Sequence, residues 1–348
     1  MDDERYPPNL FGVLRKVYWS AGRDRRRIPH LAKIFLSFAR HWTLLRMQRQ
    51  APVAIALMDR LGDIVSVEPV ARYAKSRYPG RPIFWFTSLP YAELPTAFSA
   101  VDRVVAVQCL TEWALLRSTS SFAEVIDLHF SGVYCLKCVI SFEKTKNVAF
   151  ITADSHYHYG NQLTARCRCA GIPPLTDGPA LALNVNEPRI PPEPFVVIHC
   201  EASDPKRNWR DESWRELVDL IADEMTVTVV EIGSSPRVIK EDRERRRNLC
   251  GTLPILATAE VIRQSALYIG IDSGPAHLAN AVRTHGIILL GHFRDHERYM
   301  PYSGPYETGE LADLLWADGP VSDLPLAPVI EAVKRRLRQA LMVTEQIS

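Results

Sequence analysis

From Pro52 onward, short apolar runs alternate with amphipathic stretches. Val53–Leu57 is a continuous apolar run, predicting a buried strand followed by a turn at Gly62 and a helix to about Tyr78. Pro79-Gly80 ends that helix, and Pro82–Phe86, Val101–Val107 and Val125–Leu128 read as further strands. Pro188, Pro191, Pro192 and Pro194, with few large apolar neighbours, mark a linker. Beyond it the pattern restarts with strands at Phe195–His199 and Val227–Ile232 and a helix at Asp211–Glu224 between them. A helix at Thr258–Ser265, a strand ending at Asp272, a last strand at His285–Leu290 and a basic helix at Ala327–Leu341 complete the series. Such alternation predicts an α/β protein of two Rossmann-like, doubly wound domains facing each other across a cleft. The expected divisions are an extension at 1–50, an N-terminal domain at 51–187, a C-terminal domain at 195–325 and a C-terminal helix at 326–348.

The first 50 residues follow a different rule. Leu31, Ile34, Phe35, Phe38, Trp42 and Leu45 fall at helical spacing, with Arg40, Arg46 and Arg49 on other faces and Arg23, Arg25, Arg26 and Arg27 upstream. A basic amphipathic helix of this kind either rests on an anionic membrane surface through residues 23–49 or packs on the body or another subunit.

Charge and composition narrow the function classes. With 348 residues, 47% hydrophobic and 24% charged, the chain is globular and long enough for two cores. Residues 1–50 hold 11 Lys and Arg against 4 Asp and Glu, so the remainder of a chain of net charge +2 is mildly acidic. That argues against nucleic-acid binding by the main fold. No apolar run suffices to span a bilayer, and Met1-Asp2-Asp3-Glu4-Arg5 opens no signal-peptide core. The expected location is the cytoplasm, with the inner membrane surface as a peripheral partner. Seven cysteines, an odd number, suit a reducing compartment. Cys135, Cys138, Cys167 and Cys169 could form a four-thiolate site, but the C-x-C half has unusual spacing, and ordinary buried thiols are the favoured reading.

Chemistry concentrates at Asp272-Ser273-Gly274-Pro275-Ala276-His277, where a buried run passes into a helical pattern. A proline suits the first helical turn, and small residues let a ligand approach backbone N–H groups at the positive end of the helix dipole. An anion pocket, most simply for a diphosphate, is one reading; a capped turn with a packed histidine is the other. A second constellation, Arg60-Leu61-Gly62-Asp63, follows the first strand. Gly62 would permit a sharp turn, and Asp63 would be either a base for a substrate hydroxyl or an N-cap. A third follows His199: Ser203, Lys206 and Arg207 on a loop anchored by Trp209 and Trp214, where cations could neutralise a diphosphate.

The order Arg60-Leu-Gly-Asp63, then His199 with Arg207-Asn-Trp209 and Trp214, then Asp272-Ser-Gly-Pro-Ala-His277-Leu-Ala resembles that of the heptosyltransferases of glycosyltransferase family 9 over roughly residues 52–345. The resemblance implies a GT-B fold and transfer of a sugar, heptose by family default, from a nucleotide-diphospho-sugar such as ADP-heptose to a lipopolysaccharide or other bacterial glycan acceptor, with inversion. It implies Asp63 as general base, with Arg60 and Gly62 beside it on the acceptor side. Ser203, Lys206, Arg207, Asp272, Ser273, Gly274, Pro275 and His277 would bind the donor. Cations and a helix N-terminus can stabilise the departing diphosphate without a metal, and the chain has no Asp-x-Asp pair, so no metal and no cofactor beyond the co-substrate is expected. Gly291-His292-Phe293 departs from the family's Gly-Pro-Thr turn. A catalytically silent nucleotide-sugar-binding or scaffold protein with the same fold is the alternative.

Overall fold

The computed structural model describes residues 10–142, 149–292 and 299–345, with side chains as far as Ala340. The readings made on Met1–Arg5 and on Phe293 fall outside the described residues. In chain order the helices and strands begin α1 (Leu10–Arg23), α2 (Ile28–Arg46), β1 (Val53–Ala56), α3 (Leu61–Ser66), α4 (Pro69–Arg77), β2 (Ile83–Ser88), β3 (Arg103–Val107) and α5 (Leu110–Arg117). They continue with β4 (Glu124–Asp127), β5 (Val133–Cys135), β6 (Ile140–Phe142) and α6 (Gln162–Ala170). The chain divides into two compact units, one of residues 1–60 with 67–175, the other of 61–66 with 176–348.

In the first unit four parallel strands lie in the order β3-β2-β1-β4. Val53, Ala54, Ile55 and Ala56 are all fully buried, as a central parallel strand covered on both faces requires. The amphipathic extension is not a separate body. Val13, Val17, Leu31, Ile34 and Leu45 enter the same core as Ala54, Phe86, Val107 and Trp113. Their opposite faces stay exposed, and Phe11, Tyr18, Trp19, Leu36 and Met47 stand in solvent. A β5–β6 hairpin joins this core through Cys135, Cys138, Ile140 and Phe142.

The second unit adds β7 (Phe195–His199), α7 (Asp211–Asp219), β8 (Thr228–Glu231), β9 (Arg246–Asn248), α8 (Ile255–Gln264) and β10 (Leu267–Ile271). It ends with α9 (Gly274–Ala281), β11 (Gly286–Leu290), β12 (Ala312–Trp316) and α10 (Leu326–Glu345). Six parallel strands take the order β12-β11-β10-β7-β8-β9. Val329, Ala332, Val333 and Leu337 seat α10 in this unit's core beside Trp214, Leu217, Ile269 and Leu289.

Three sequence expectations are corrected. Residues 61–78 form two helices, because Pro69 lacks the N–H a continuous helix needs and instead starts α4. Gly62 therefore lies inside α3, not at a turn. The strand at 286–290 is not the last, since Ala312–Trp316 pairs beside it in register Gly286↔Ala312. Nor did hydrophobic pattern reveal β9, whose Arg-Arg-Asn sequence is that of a short polar edge strand.

Candidate functional site

In the second sheet the winding direction reverses between β7 and β10. Ligands of open α/β sheets bind beyond the carboxyl ends of the strands at such a reversal. β7 delivers His199 there and β10 delivers Asp272, with Gly270 opposite His199 in the ladder. The Ser273 hydroxyl donates to the Ile271 carbonyl at 3.1 Å and lies 3.0 Å from His199 Nδ1. With its one proton committed, Ser273 accepts from His199, which places the imidazole proton on Nδ1. Burial pushes the His199 pKa down to about 4, so the ring is neutral.

Ser273 also serves as N-cap of α9 in an extended conformation, and its side chain makes no cap bond. Its oxygen is occupied by the strand below, its carbonyl accepts from the amides of Ala276 and His277, and Pro275 has no N–H, so Gly274 supplies the amide at the helix start where the sequence places an anion. Pro275 occupies the first turn, as expected.

Arg207 reaches this point from the Pro205–Arg207 turn, with Nη1 3.1 Å from Asp272 Oδ2. The loop is pinned at several places. Asp204 accepts from the Lys206 amide, Asn208 Oδ1 accepts from the Ala202 amide at 2.7 Å, and buried Trp209 donates Nε1 to the Leu324 carbonyl at 2.8 Å. Trp209 in turn stands edge-on to Trp214, centroids 5.1 Å apart. Of the two adjacent cations, the structure thus brings Arg207 to Asp272, while Lys206 and Ser203 are exposed. Ser203 lines a groove of about 650 Å³ with Glu201, Asn208, Ser235 and Arg237, a size suited to a nucleoside. The groove's far wall is held by Glu231 at the end of β8, which accepts from the amides of Arg237, Val238 and Ile239.

The other Asp272 oxygen accepts from Tyr302 at 3.2 Å, and His277 Nε2 lies 4.0 Å away. His277 is buried, against Tyr302 at 4.8 Å between centroids, and burial lowers its pKa to about 4. Helix α3 packs on α9 at this ring. A Cβ at Gly62 would come 2.7 Å from His277 Cδ2, and one at Gly274 would come 2.8 Å from Leu61 Cδ2. Both glycines are thus explained by close approach, not by turn geometry. Asp63, the next residue, is half-buried in the first turn of α3, and its carbonyl accepts from Ser66. Arg60 belongs to the first unit, where its amide donates to Asp59.

Sequence reading missed Tyr302, which lies in a stretch without periodic pattern. It also missed a polar network at the reversal point of the first sheet, between β1 and β4. There His129 bridges the Met58 amide, at 2.9 Å, and Asp127, at 2.7 Å, while buried Arg166 holds Asp59 at 2.8 Å and the Leu128 carbonyl at 2.9 Å. The signal available was Asp127-Leu-His129 directly after an apolar strand. The considered cysteine quartet is not assembled: the Cys169 thiol donates to the His129 carbonyl, whereas Cys138 Sγ lies 3.8 Å from Cys109 Sγ.

Residues 179–308 match the sequence model of glycosyltransferase family 9 (heptosyltransferase). Lipopolysaccharide heptosyltransferase 1 of Escherichia coli K12 is 22% identical over 288 residues, covering 69% of this chain and 87% of that protein. The family 9 glycosyl transferase from Veillonella parvula DSM 2008 superposes with a TM-score of 0.62 at 13% identity, over 83% of this chain and 97% of its own. E. coli heptosyltransferase WaaC with ADP gives 0.58 at 16% identity, over 82% and 99%. E. coli ADP-heptose lps heptosyltransferase II gives 0.57 at 15%, over 83% and 99%. The chain is thus heptosyltransferase-like: it resembles the family 9 glycosyltransferases in motif order and over residues 179–308, and it shares the GT-B fold of the solved structures.

Proposed function

We propose that the chain transfers heptose from ADP-heptose to a lipopolysaccharide-type acceptor, with inversion and without a catalytic metal ion. The donor assignment is supported by the relatives, one of which has been solved with ADP-2-deoxy-2-fluoro heptose. In the reaction the acceptor hydroxyl gives its proton to the Asp63 carboxylate as its oxygen attacks the anomeric carbon. The bond from that carbon to the diphosphate oxygen breaks, and ADP leaves with the electron pair. Arg207, with Lys206 beside it on the loop, and the positive end of the α9 dipole at Gly274 offset the charge that develops on the departing diphosphate. Asp272, engaged by Arg207 and Tyr302, acts as a positioning residue for the guanidinium.

The observation that carries this reading is the seating of α3 on α9 through Gly62 and His277, Asp63 being the residue that follows Gly62 in α3. The test is Asp63→Asn. Loss of about 10²–10⁴ in kcat with donor Kd unchanged supports it; unchanged kcat contradicts it. A wild-type protein that binds nucleotide sugars but turns over none would instead be the silent binder.

The outward faces of α1 and α2 support a peripheral place on an anionic membrane. Phe11, Tyr18, Trp19 and Leu36 are exposed beside Arg15, Lys16, Arg23, Arg25 and Arg26. Among the described residues no helix is long and apolar enough to cross a bilayer.

A further inference from the structure

Four potential metal ligands converge in the first unit, in the half of the chain that the donor-site motifs do not use. Cys109 is the N-cap of α5 and makes no side-chain cap bond. Cys135 ends β5, and Cys138 lies in the turn that leads to β6. His30, from the first turn of α2, presents a buried Nε2 with no hydrogen-bond partner. The ligand atoms of His30, Cys109 and Cys138 all lie within 4.8 Å of one another, and Cys135, buried in the same core, stands just outside that mutual spacing, three residues before Cys138.

The spacing is too long for a disulfide and matches two ligands of one metal ion. Cys109 and Cys138 sulfurs stand 3.8 Å apart. A disulfide needs about 2.05 Å. Two thiolates bound at about 2.3 Å around a tetrahedral zinc ion stand roughly 3.8 Å apart. The Cys135-Leu-Lys-Cys138 turn is also shaped for it. Val139 adopts φ +57°, its amide returns to the Cys135 carbonyl at 2.7 Å, and the Cys138 carbonyl is held by the Ser20 hydroxyl of α1. Leu136 at the tip is 83% exposed, while Cys135 and Cys138 on either side of it are buried.

We propose that His30, Cys109, Cys135 and Cys138 form a structural Cys₃His zinc site that ties α2 to the β5–β6 hairpin and the start of α5. Any thiol still protonated gives up its proton when Zn²⁺ binds, and three thiolates with one imidazole close a tetrahedral shell that leaves no position for substrate. The site is thus distinct in role from the donor pocket and independent of the transfer chemistry proposed above.

The test is metal analysis of the full chain, purified without a metal-affinity resin. The expected result is about one zinc per chain, falling below about 0.2 in His30→Ala and Cys138→Ser and unchanged in Cys167→Ser and Cys169→Ser. Because a cysteine variant can fail to fold, a second measurement uses wild type alone. Exchange of the zinc for cobalt should give the visible absorption of a tetrahedral thiolate site, and chelation should lower Tm by at least about 5 °C. Less than about 0.1 zinc per chain, iron in its place, or zinc loss in Cys167→Ser or Cys169→Ser would overturn the assignment.

Discussion

At Gly62 the absence of a side chain is a packing requirement. The His277 ring occupies the space a Cβ would need, and Tyr302 closes the ring's other side. Gly62→Ala should therefore cost about 1–3 kcal/mol in stability, the usual penalty of overpacking, and weaken donor binding as the ring is displaced. A denaturant midpoint equal to wild type would contradict this. The two buried histidines make a second residue-level prediction. His199 and His277 are held near 4 in the fold against an ordinary value of 6.5, chiefly by burial; for His277, Asp272 opposes and Arg207 reinforces that shift. Between those values the unfolded chain binds more protons than the folded one. Stability is thus full above about pH 6.5 and is lost as pH falls toward 4, by on the order of 3 kcal/mol for each ring. Urea unfolding from pH 7 to 4.5 should show this slope, reduced by about half in His277→Gln. A pH-independent midpoint would exclude it.

At the scale of elements, the apolar runs of β1, β7, β10 and β11 were legible because parallel strands buried on both faces leave little room for polar residues. β9 was hidden because an edge strand needs no such run, and Ala312–Trp316 because it follows a stretch with no periodic pattern. The reach of α3 was hidden for another reason. Its contact with α9 joins residues more than 200 positions apart, and nothing local in Leu61–Ser66 announces a distant partner. The N-terminal helices were legible as amphipathic, but which of their faces packs was not. The inward face packs on the first core, while the outward face remains apolar and basic. Replacing Phe11 and Trp19 together by Ser should leave Tm nearly unchanged, since both are exposed, yet weaken binding to vesicles containing anionic lipid by at least about tenfold. Equal sedimentation of variant and wild type with such vesicles would refute the membrane role.

For the whole molecule, two parallel sheets were predictable from β-α-β alternation, and each reverses its winding where polar side chains gather. The second reversal point was readable because its residues lie in one compact motif, Asp272–His277, plus one basic loop. The first was not, because Asp59, Asp127, His129 and Arg166 are scattered in sequence and meet only through the fold. The same holds for His30 and Cys109 beside the Cys135–Cys138 pair. The central claim is that the crevice at the second reversal point holds ADP-heptose through Arg207. Calorimetric titration of ADP-heptose into wild type and Arg207→Ala, with UDP-, GDP- and dTDP-sugars as controls, tests it most directly. The account predicts saturable binding of the ADP-sugar alone, weakened about 10–100-fold by the substitution, as loss of a charge-assisted contact implies. Tighter binding of another nucleotide sugar, or equal affinity in Arg207→Ala, would contradict it.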